Sequence, residues 1–465
     1  MAVRLAVTMV MARYLGKALF GDRSYVMALV GSFEILANFG LNQIAVREIA
    51  VHRDKADVYF GSVILLKALM TVVTLGVLVV IAQTSPGGAH VRSGIYLYGL
   101  AAILNFFANT YYVLYRAFER MQYEAVLVIV ERGLFLLLAL LLVYLKAGFV
   151  ALFWANLIAA LVKLAVGAWL TVSRFTLPKI RFDWTLYKTY VRETLPVGIS
   201  QLINTMSVRI DIVLLGYLAT SEIVGTFSGP YRIVDAVGLL SVVLVTSLFP
   251  VMSRRASVGV EALRDLLQRA VKVTLLVALP ASIGLFLLAR PALNLALGEQ
   301  FADSQAVLMV LTVVIAPIYL TRLFHFCFIA LKHQVEYTYI GGGTLLLNAV
   351  LDLILIPRIG YWGACVGALT AALVRLLICS WRLRRHVGPV YPWKTLWRLL
   401  LPNLALAAVL WALPTWMSNW SWSWILAGAA AGLVYLALAW FAGALDQSEK
   451  GAMRLVLAKI GTRSR

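Results

Sequence analysis

The sequence predicts an all-α polytopic membrane protein of about 14 transmembrane helices, the first of them short. Three observations carry that expectation. Of the 465 residues, 62% are hydrophobic and 13% charged, with a mean hydropathy of +0.88; an ordinary soluble domain carries about 25% charged residues. Apolar runs of roughly 20 residues, long enough to cross a hydrocarbon core, recur along the chain. The basic residues between the runs concentrate on alternate connections. A soluble enzyme, a disordered chain and a disulfide scaffold are excluded by this balance.

The runs are 1–14, 24–46, 59–82, 94–115, 124–145, 148–171, 194–217, 222–250, 270–290, 304–330, 337–356, 360–381, 397–416 and 423–443. Helices are expected because barrel strands would be short and alternating. Pro86-Gly87-Gly88, Pro196, Pro250 and Pro357 punctuate several of them. The first run rises only about 21 Å as a helix. That is short of the roughly 30 Å core. A start codon placed too late is the plainer reading, a deliberately short helix the other. The start has no cleavable signal-peptide pattern.

Lys and Arg number 41 against 21 Asp and Glu, a net charge of +20. The even-numbered connections and the tail hold 26 of the basic residues, among them Arg47, Arg53, Lys179, Arg254, Lys332, Arg382 and Arg454. The odd-numbered connections hold seven: Arg13, Lys17, Arg23, Arg92, Lys146, Arg290 and Arg358. The excess places the even-numbered side and the C-terminus in the cytoplasm. A wrong span count would scramble this alternation. The charge is therefore a topology signal, and nucleic acid is not an expected partner.

Trp393, Trp397, Trp411, Trp416, Trp420, Trp422 and Trp424 bracket the last two runs, as an interfacial aromatic belt does. Asn419-Trp420-Ser421 has the pattern of a glycosylation sequon. Cys327, Cys365 and Cys379 lie in apolar runs and are expected as free buried thiols. The five histidines, His52, His90, His325, His333 and His386, are scattered and show no zinc-ligand spacing. No metal or cofactor is expected.

An internal duplication appears at an offset of 212 residues. Arg120, Gln122 and Glu124 align with Lys332, Gln334 and Glu336, Gly148 with Gly360, and Leu157 and Ala159 to Leu164 with Leu369 and Ala371 to Leu376. The last stretch pairs Lys163 with Arg375, a cation in mid-span in both copies. Six helices separate the copies, so they share one orientation. The expected architecture is two six-helix lobes related by a parallel repeat, with a central cavity, plus two C-terminal helices. In residues that is 1–171, a cytoplasmic linker 172–193, 194–381, then 382–443 and a basic tail 444–465.

Ionisable side chains at bilayer depth are costly and mark function or specific pairing. Here they are Glu34, Lys67, Glu131, Arg132, Lys163, Arg209, Asp211, Arg232, Asp235, Arg322, Asp352 and Arg375. On the helix at 194–217, Gln201, Thr205 and Arg209 form one stripe, with Asn204, Ser207 and Asp211 beside it. Glu34, Asn38 and Asn42 are spaced four apart, as are Asn105 with Asn109 and Asn348 with Asp352. Arg232 and Asp235, and Glu131 and Arg132, are candidate local pairs. The cations outnumber the acids, which suits an anionic, phosphate-bearing ligand. Candidate ligand-binding residues are Arg209, Arg322, Lys67, Lys163, Arg375, Arg232, Asn204 and Gln201. Candidate ion-coupling residues are Glu34, Asp211 and Asp352. Gly341-Gly342-Gly343 lacks the Lys-Ser/Thr of a phosphate loop and reads as a hinge or close contact.

Several blocks, in order and spacing, resemble one family. They are Ala12-Arg13-Tyr14-Leu15-Gly16 with Phe20-Gly21, then Phe39-Gly40-Leu41 and Val46-Arg47-Glu48-Ile49, then Arg209-Ile210-Asp211 with Leu214-Leu215-Gly216-Tyr217 and Val224-Gly225. Ile356-Pro357-Arg358-Ile359-Gly360-Tyr361-Trp362-Gly363-Ala364 completes the set. The chain resembles the Wzx-like polysaccharide-biosynthesis flippases of the multidrug/oligosaccharidyl-lipid/polysaccharide exporter superfamily. The resemblance implies 12 to 14 helices in two lobes and alternating access. It also implies transfer of a polyprenyl-diphosphate-linked oligosaccharide from the cytoplasmic to the outer leaflet of the inner membrane. Asp211 stands where the family commonly has an acid, and Asn38 where many members have Asp. The expected partners are the lipid-linked oligosaccharide, membrane lipids and polysaccharide-assembly proteins. Alternatives are a cell-wall lipid precursor flippase, a cation-coupled drug exporter with an acid-rich cavity, or a membrane glycosyltransferase, polymerase or ligase. The last would want a larger extramembrane loop than residues 291–303 provide.

Overall fold

A backbone in hydrocarbon must satisfy its own polar groups, and in a computed structural model of the chain the apolar runs are helices. The structure describes residues 2–38, 40–175, 179, 184–412 and 423–441. The helices are α1 (Ala2–Asn38), α2 (Leu41–Val51), α3 (Ala56–Thr84), α4 (Ala89–Ala108), α5 (Tyr111–Ala117), α6 (Gln122–Tyr144), α7 (Phe149–Arg174), α8 (Trp184–Leu218) and α9 (Ser221–Val258). They continue as α10 (Val260–Leu287), α11 (Ala289–Ala296), α12 (Gln305–Thr312), α13 (Ile315–Ala330), α14 (Gln334–Ile359), α15 (Tyr361–Val387), α16 (Trp393–Leu396), α17 (Leu400–Ala412) and α18 (Ser423–Phe441). Among the described residues no strand occurs. Nine of the described helical stretches are long and apolar enough to cross a membrane, ten when the pair Glu299–Thr312 and Ile315–Ala330, bent by 42°, counts as one. The two arms of α1, with α17 and α18, account for the other expected runs. The basic tail, the Asn419 sequon and Trp416, Trp420 and Trp422 lie outside the described residues. Trp393, Trp397 and Trp411 are exposed.

The chain departs from the expected boundaries in three ways. The first two runs meet at Gly16, whose φ of 75° and ψ of 173° break α1; the second arm starts there and not near residue 24. The polar stretch after Gly16 reads as a connection in sequence because its partners are distant along the chain. Asp22 and Arg23 are buried, and Asp22 Oδ2 lies 2.9 Å from His90 Nε2. The run at 94–115 is broken at Asn109-Thr110. Pro196, Pro250 and Pro357 lie inside α8, α9 and α14 and end nothing. Membrane helices tolerate such prolines because neighbouring groups satisfy the freed carbonyl.

The chain divides into two compact units: residues 1–229 with 345–367, and residues 230–344 with 368–465. In the first unit the connections group by end as the charge bias requires. Arg47 meets Glu193 at 2.5 Å, Arg53 meets Glu119 at 3.4 Å, and Lys179 meets Asp57 at 2.6 Å, joining three basic connections. At the other end of the same helices Tyr25 meets Ser85 at 2.6 Å, the Gly148 amide donates to Tyr14 Oη at 3.2 Å, and Lys17 meets Glu222 at 3.8 Å. In the second unit Gln268 Nε2 donates to the Pro389 carbonyl at 2.7 Å, again linking two basic connections. The outward faces are apolar: on α6, Ile129 is 69% and Leu137 66% exposed. Lipid, not water, is the solvent such a face suits.

Two blocks of the sequence meet where α1 crosses the start of α9. A Cβ on Gly21 would overlap the Ser221 carbonyl and lie 2.7 Å from the Gly225 amide nitrogen. A Cβ on Gly225 would overlap the Lys17 carbonyl. Backbones approach this closely only where both residues are glycine.

Candidate functional site

In the first unit α1, α4, α6 and α7 surround a polar cavity of 340 Å³ lined by Glu34, Asn105, Asn109, Glu131, Arg132, Asn156 and Lys163, with Tyr98 and Tyr112. Lys163, on α7, is only 3% exposed. Its ammonium donates to Glu131 Oε2 at 2.6 Å, Asn109 Oδ1 at 2.9 Å and Asn105 Oδ1 at 3.0 Å, which uses all three N–H bonds. Glu131 thus pairs with Lys163 and not with its neighbour Arg132. A second cavity of 290 Å³, lined by Asn42, Gln43, Arg116 and Gln201 among others, shares Asn109 and Tyr112 with the first. Asn105 on α4 and Asn109 at its C-terminal cap both turn their amide oxygens to Lys163, as their four-residue spacing allows.

Removing one partner of a buried ion pair costs about 3 kcal/mol or more, whereas replacing both with apolar residues is often neutral. Glu131→Gln should therefore lower the thermal midpoint in detergent clearly. The double change Glu131→Leu with Lys163→Met should recover most of it. Equal midpoints for Glu131→Gln and wild type would show the pair to be idle.

Arg209 occupies space left by a missing side chain. A Cβ on Gly31 of α1 would overlap its guanidinium. Its Nη1 is buried without an acceptor. Arg209 and Lys163 both act electrostatically on Glu34, one helical turn beyond Gly31. Gly31 carries no chemistry of its own, and its place on the Glu34 stripe is the one signal of it in the sequence.

Asp211 sits two residues beyond Arg209 and faces the other way, towards α14. Asn348 Nδ2 donates to Asp211 Oδ1 at 2.6 Å, and the Asp352 carboxyl is in side-chain contact with that of Asp211. Exposures are 2% for Asp211, 4% for Asn348 and 0% for Asp352. Both Asp352 oxygens and Asn348 Oδ1 lack a hydrogen-bond partner. No described Lys or Arg ion-pairs with either carboxyl. Gly367 on α15 closes the site, since a Cβ there would press on Asp352 and lie 2.8 Å from Asn348 Oδ1. Two carboxyl groups this close cannot both stay ionised without a cation or a shared proton. Two carboxylates and an amide oxygen make a hard-oxygen donor set.

Lys67 lies elsewhere than expected. It is fully buried outside both cavities, donates to Thr110 Oγ1 at 2.8 Å and stands 4.2 Å from the centroid of Phe106. Thr110 in turn donates to the Phe106 carbonyl at 3.2 Å. The ammonium thus sits at the C-terminal end of α4, where the helix dipole favours a cation. Of the α8 stripe, Gln201 reaches the second cavity, while Asn204 is exposed and lines neither.

In the second unit Arg322 and Arg375 donate to carbonyls and hydroxyls. Arg322 Nη1 donates to the Gly238 carbonyl and, at 2.7 Å, to Ser241 Oγ. Arg375 donates to Thr344 Oγ1 at 3.0 Å and to the Gly341 carbonyl at 3.2 Å. The duplication explains the contrast with Lys163: the position of Glu131 in the first copy is Gly343 in the second. Arg232 is half-buried on α9. The histidines are not all scattered in space. Folding α14 against α15 brings His333 and His386 together, with ring centroids 4.3 Å apart.

Residues 3–255 match the family model of polysaccharide biosynthesis proteins, and residues 137–434 match that of the lipid II flippase MurJ. A probable low-salt glycan biosynthesis flippase, Agl15 of Haloferax volcanii, is 22% identical over 409 residues, 87% of this chain and 84% of that protein. In three dimensions the chain is similar to a lipid II flippase MurJ in an inward closed conformation. The TM-score is 0.77 at 14% identity, covering 94% of this chain and 95% of the other. It is also similar to an inward-facing multidrug resistance transporter of the MATE family, with a TM-score of 0.66 at 18% identity over 82% of this chain and 94% of the other. With each family model spanning more than half of its length, the chain belongs to the flippases of the multidrug/oligosaccharidyl-lipid/polysaccharide exporter superfamily and is a multi-pass membrane protein.

Proposed function

We propose that this flippase moves polyprenyl-diphosphate-linked oligosaccharides from the cytoplasmic to the outer leaflet of the inner membrane, by alternating access, for surface polysaccharide assembly. The match of residues 3–255 to polysaccharide biosynthesis proteins carries this reading, and the glycan flippase relative supports it. The basic end of the helices is the cytoplasmic end, and the C-terminus lies there. Arg209, Arg322 and Arg375 are the candidate guanidinium donors for diphosphate or acidic sugars. The unsatisfied Nη1 of Arg209 supports its assignment. Asp211 and Asp352, with Asn348, take up a cation or proton, and Glu34 beside Arg209 and Lys163 is the second candidate for coupling.

A second reading keeps the diphosphate lipid and changes the sugar. The MurJ match over residues 137–434 favours a cell-wall lipid precursor. Complementation separates the two. On the first reading the gene restores surface polysaccharide to a strain without its oligosaccharide flippase. On the second it restores growth to cells depleted of their lipid II flippase. In the complemented strain Arg209→Ala and Arg322→Ala should each abolish the product while the protein stays inserted. Unchanged product in both variants removes these residues from the site.

A further inference from the structure

We propose that His333, Glu336 and His386 form a binding site for a divalent transition-metal ion of the zinc class at the basic end of the α14–α15 hairpin. His333 directly precedes α14, Glu336 lies in its first turn, and His386 lies in the last turn of α15. His333 Nδ1 is 3.7 Å and His386 Nε2 2.9 Å from the same oxygen, Glu336 Oε2. The three ligand atoms all lie within 4.8 Å of one another. Ligands bound tetrahedrally at about 2.0–2.1 Å stand about 3.3 Å apart, so the two measured edges bracket the required triangle. Two imidazoles and a carboxylate are a donor set that zinc takes with a fourth position open. That position faces a cavity of 950 Å³ lined by the three ligands and by apolar groups including Tyr339, Ile340 and Trp381.

Two observations argue that the histidines are there for more than holding Glu336. Its other oxygen, Oε1, is already engaged by Arg382 Nε at 3.2 Å, an orienting contact of the kind metal-ligating carboxylates have. In the first copy of the repeat the equivalent acid, Glu124, is held among the described residues by Arg116, through both oxygens at 2.6 and 2.8 Å. Met121 and Arg174 stand there in place of His333 and His386. The acid belongs to the shared hairpin scaffold, and the histidine pair is an addition of the second copy. A bound ion would clip the two ends of the hairpin together and stabilise the folded state by mass action.

The test uses the full chain in detergent, purified through a tag without histidine and freed of metal by chelation. Zn²⁺ titrated into it should bind at one ion per chain and raise the thermal midpoint. Co²⁺ should give the visible absorption of a tetrahedral site. His333→Asn and His386→Asn should each weaken Zn²⁺ binding at least tenfold and abolish the thermal shift, with the metal-free midpoint of His333→Asn unchanged. His333 is 47% exposed, so its substitution leaves the fold intact. Absence of binding, or equal binding by wild type and the double variant, overturns the proposal and leaves a hydrogen-bonded His386–Glu336–Arg382 network.

Discussion

Valine at Gly21 or Gly225 is expected to leave little folded protein. At this crossing the obstruction is backbone: the Ser221 carbonyl and Gly225 amide stand where a Gly21 Cβ would go, and the Lys17 carbonyl where a Gly225 Cβ would go. A side-chain clash can relax through rotamers, but a carbonyl moves only if its helix moves. Overpacking costs about 1–3 kcal/mol and more where backbone must give way, a large share of a typical stability of about 5–15 kcal/mol. Alanine should already lower the thermal midpoint, and valine should cut the yield of monodisperse protein. The two alanine changes should cost less together than their sum, because either one already forces the helices apart. Gly31→Ala is the contrasting control. There the obstruction is the end of the Arg209 side chain, which can swing away, so folding should survive while transport falls. A wild-type midpoint for Gly21→Val would mean that the helices do not cross at this distance.

The glycine pair shows what the sequence displays and what it hides. Phe20-Gly21 and Val224-Gly225 stand out as blocks shared with a family, yet nothing along the chain says that they touch. The apolar runs are legible because lipid imposes a length and a composition on every span. The alternation of basic connections is legible too, and the contacts Arg47–Glu193 and Lys179–Asp57 on one end, Tyr25–Ser85 on the other, agree with it. The four-residue spacings Asn105–Asn109 and Asn348–Asp352 mark faces that meet a charged group. Pairing between helices is not legible. Glu131 has Arg132 beside it in sequence and Lys163 beside it in space, and Lys67 has a helix end and an aromatic ring where a substrate cavity is expected. A cation at bilayer depth announces that it needs a partner, and periodicity alone does not say which kind. The histidine pair is hidden for the same reason: residues 333 and 386 are 53 apart in sequence, and only the folded hairpin brings them together.

Asp352→Asn and Asp211→Asn are expected to move transport and stability in opposite directions. In the wild-type chain two carboxyl groups share a site that is nearly closed to solvent, with Asn348 as the donor to one of them and no described cation paired with either. Ionising both without a counter-charge costs several kcal/mol, so the folded state retains a proton or a cation there. An asparagine at either position removes that requirement and can donate a hydrogen bond to the remaining carboxylate. The thermal midpoint of each variant should therefore match or exceed that of the wild type in buffer free of alkali ions. Transport should fall at least tenfold if the pair carries the coupling, because no ion is then taken up or released. The two readouts separate a coupling site from an inert polar contact. In proteoliposomes with an imposed Na⁺ or proton gradient, wild-type flipping should respond to one of the two gradients and the variants to neither. Added Na⁺ or Li⁺ should raise the wild-type midpoint, and not that of Asp352→Asn, if the site takes a metal cation. If the midpoint is insensitive to these ions but flipping follows the proton gradient, the shared particle is a proton. If Asp211→Asn and Asp352→Asn flip lipid at the wild-type rate under the same gradients, the buried pair has no part in driving transport.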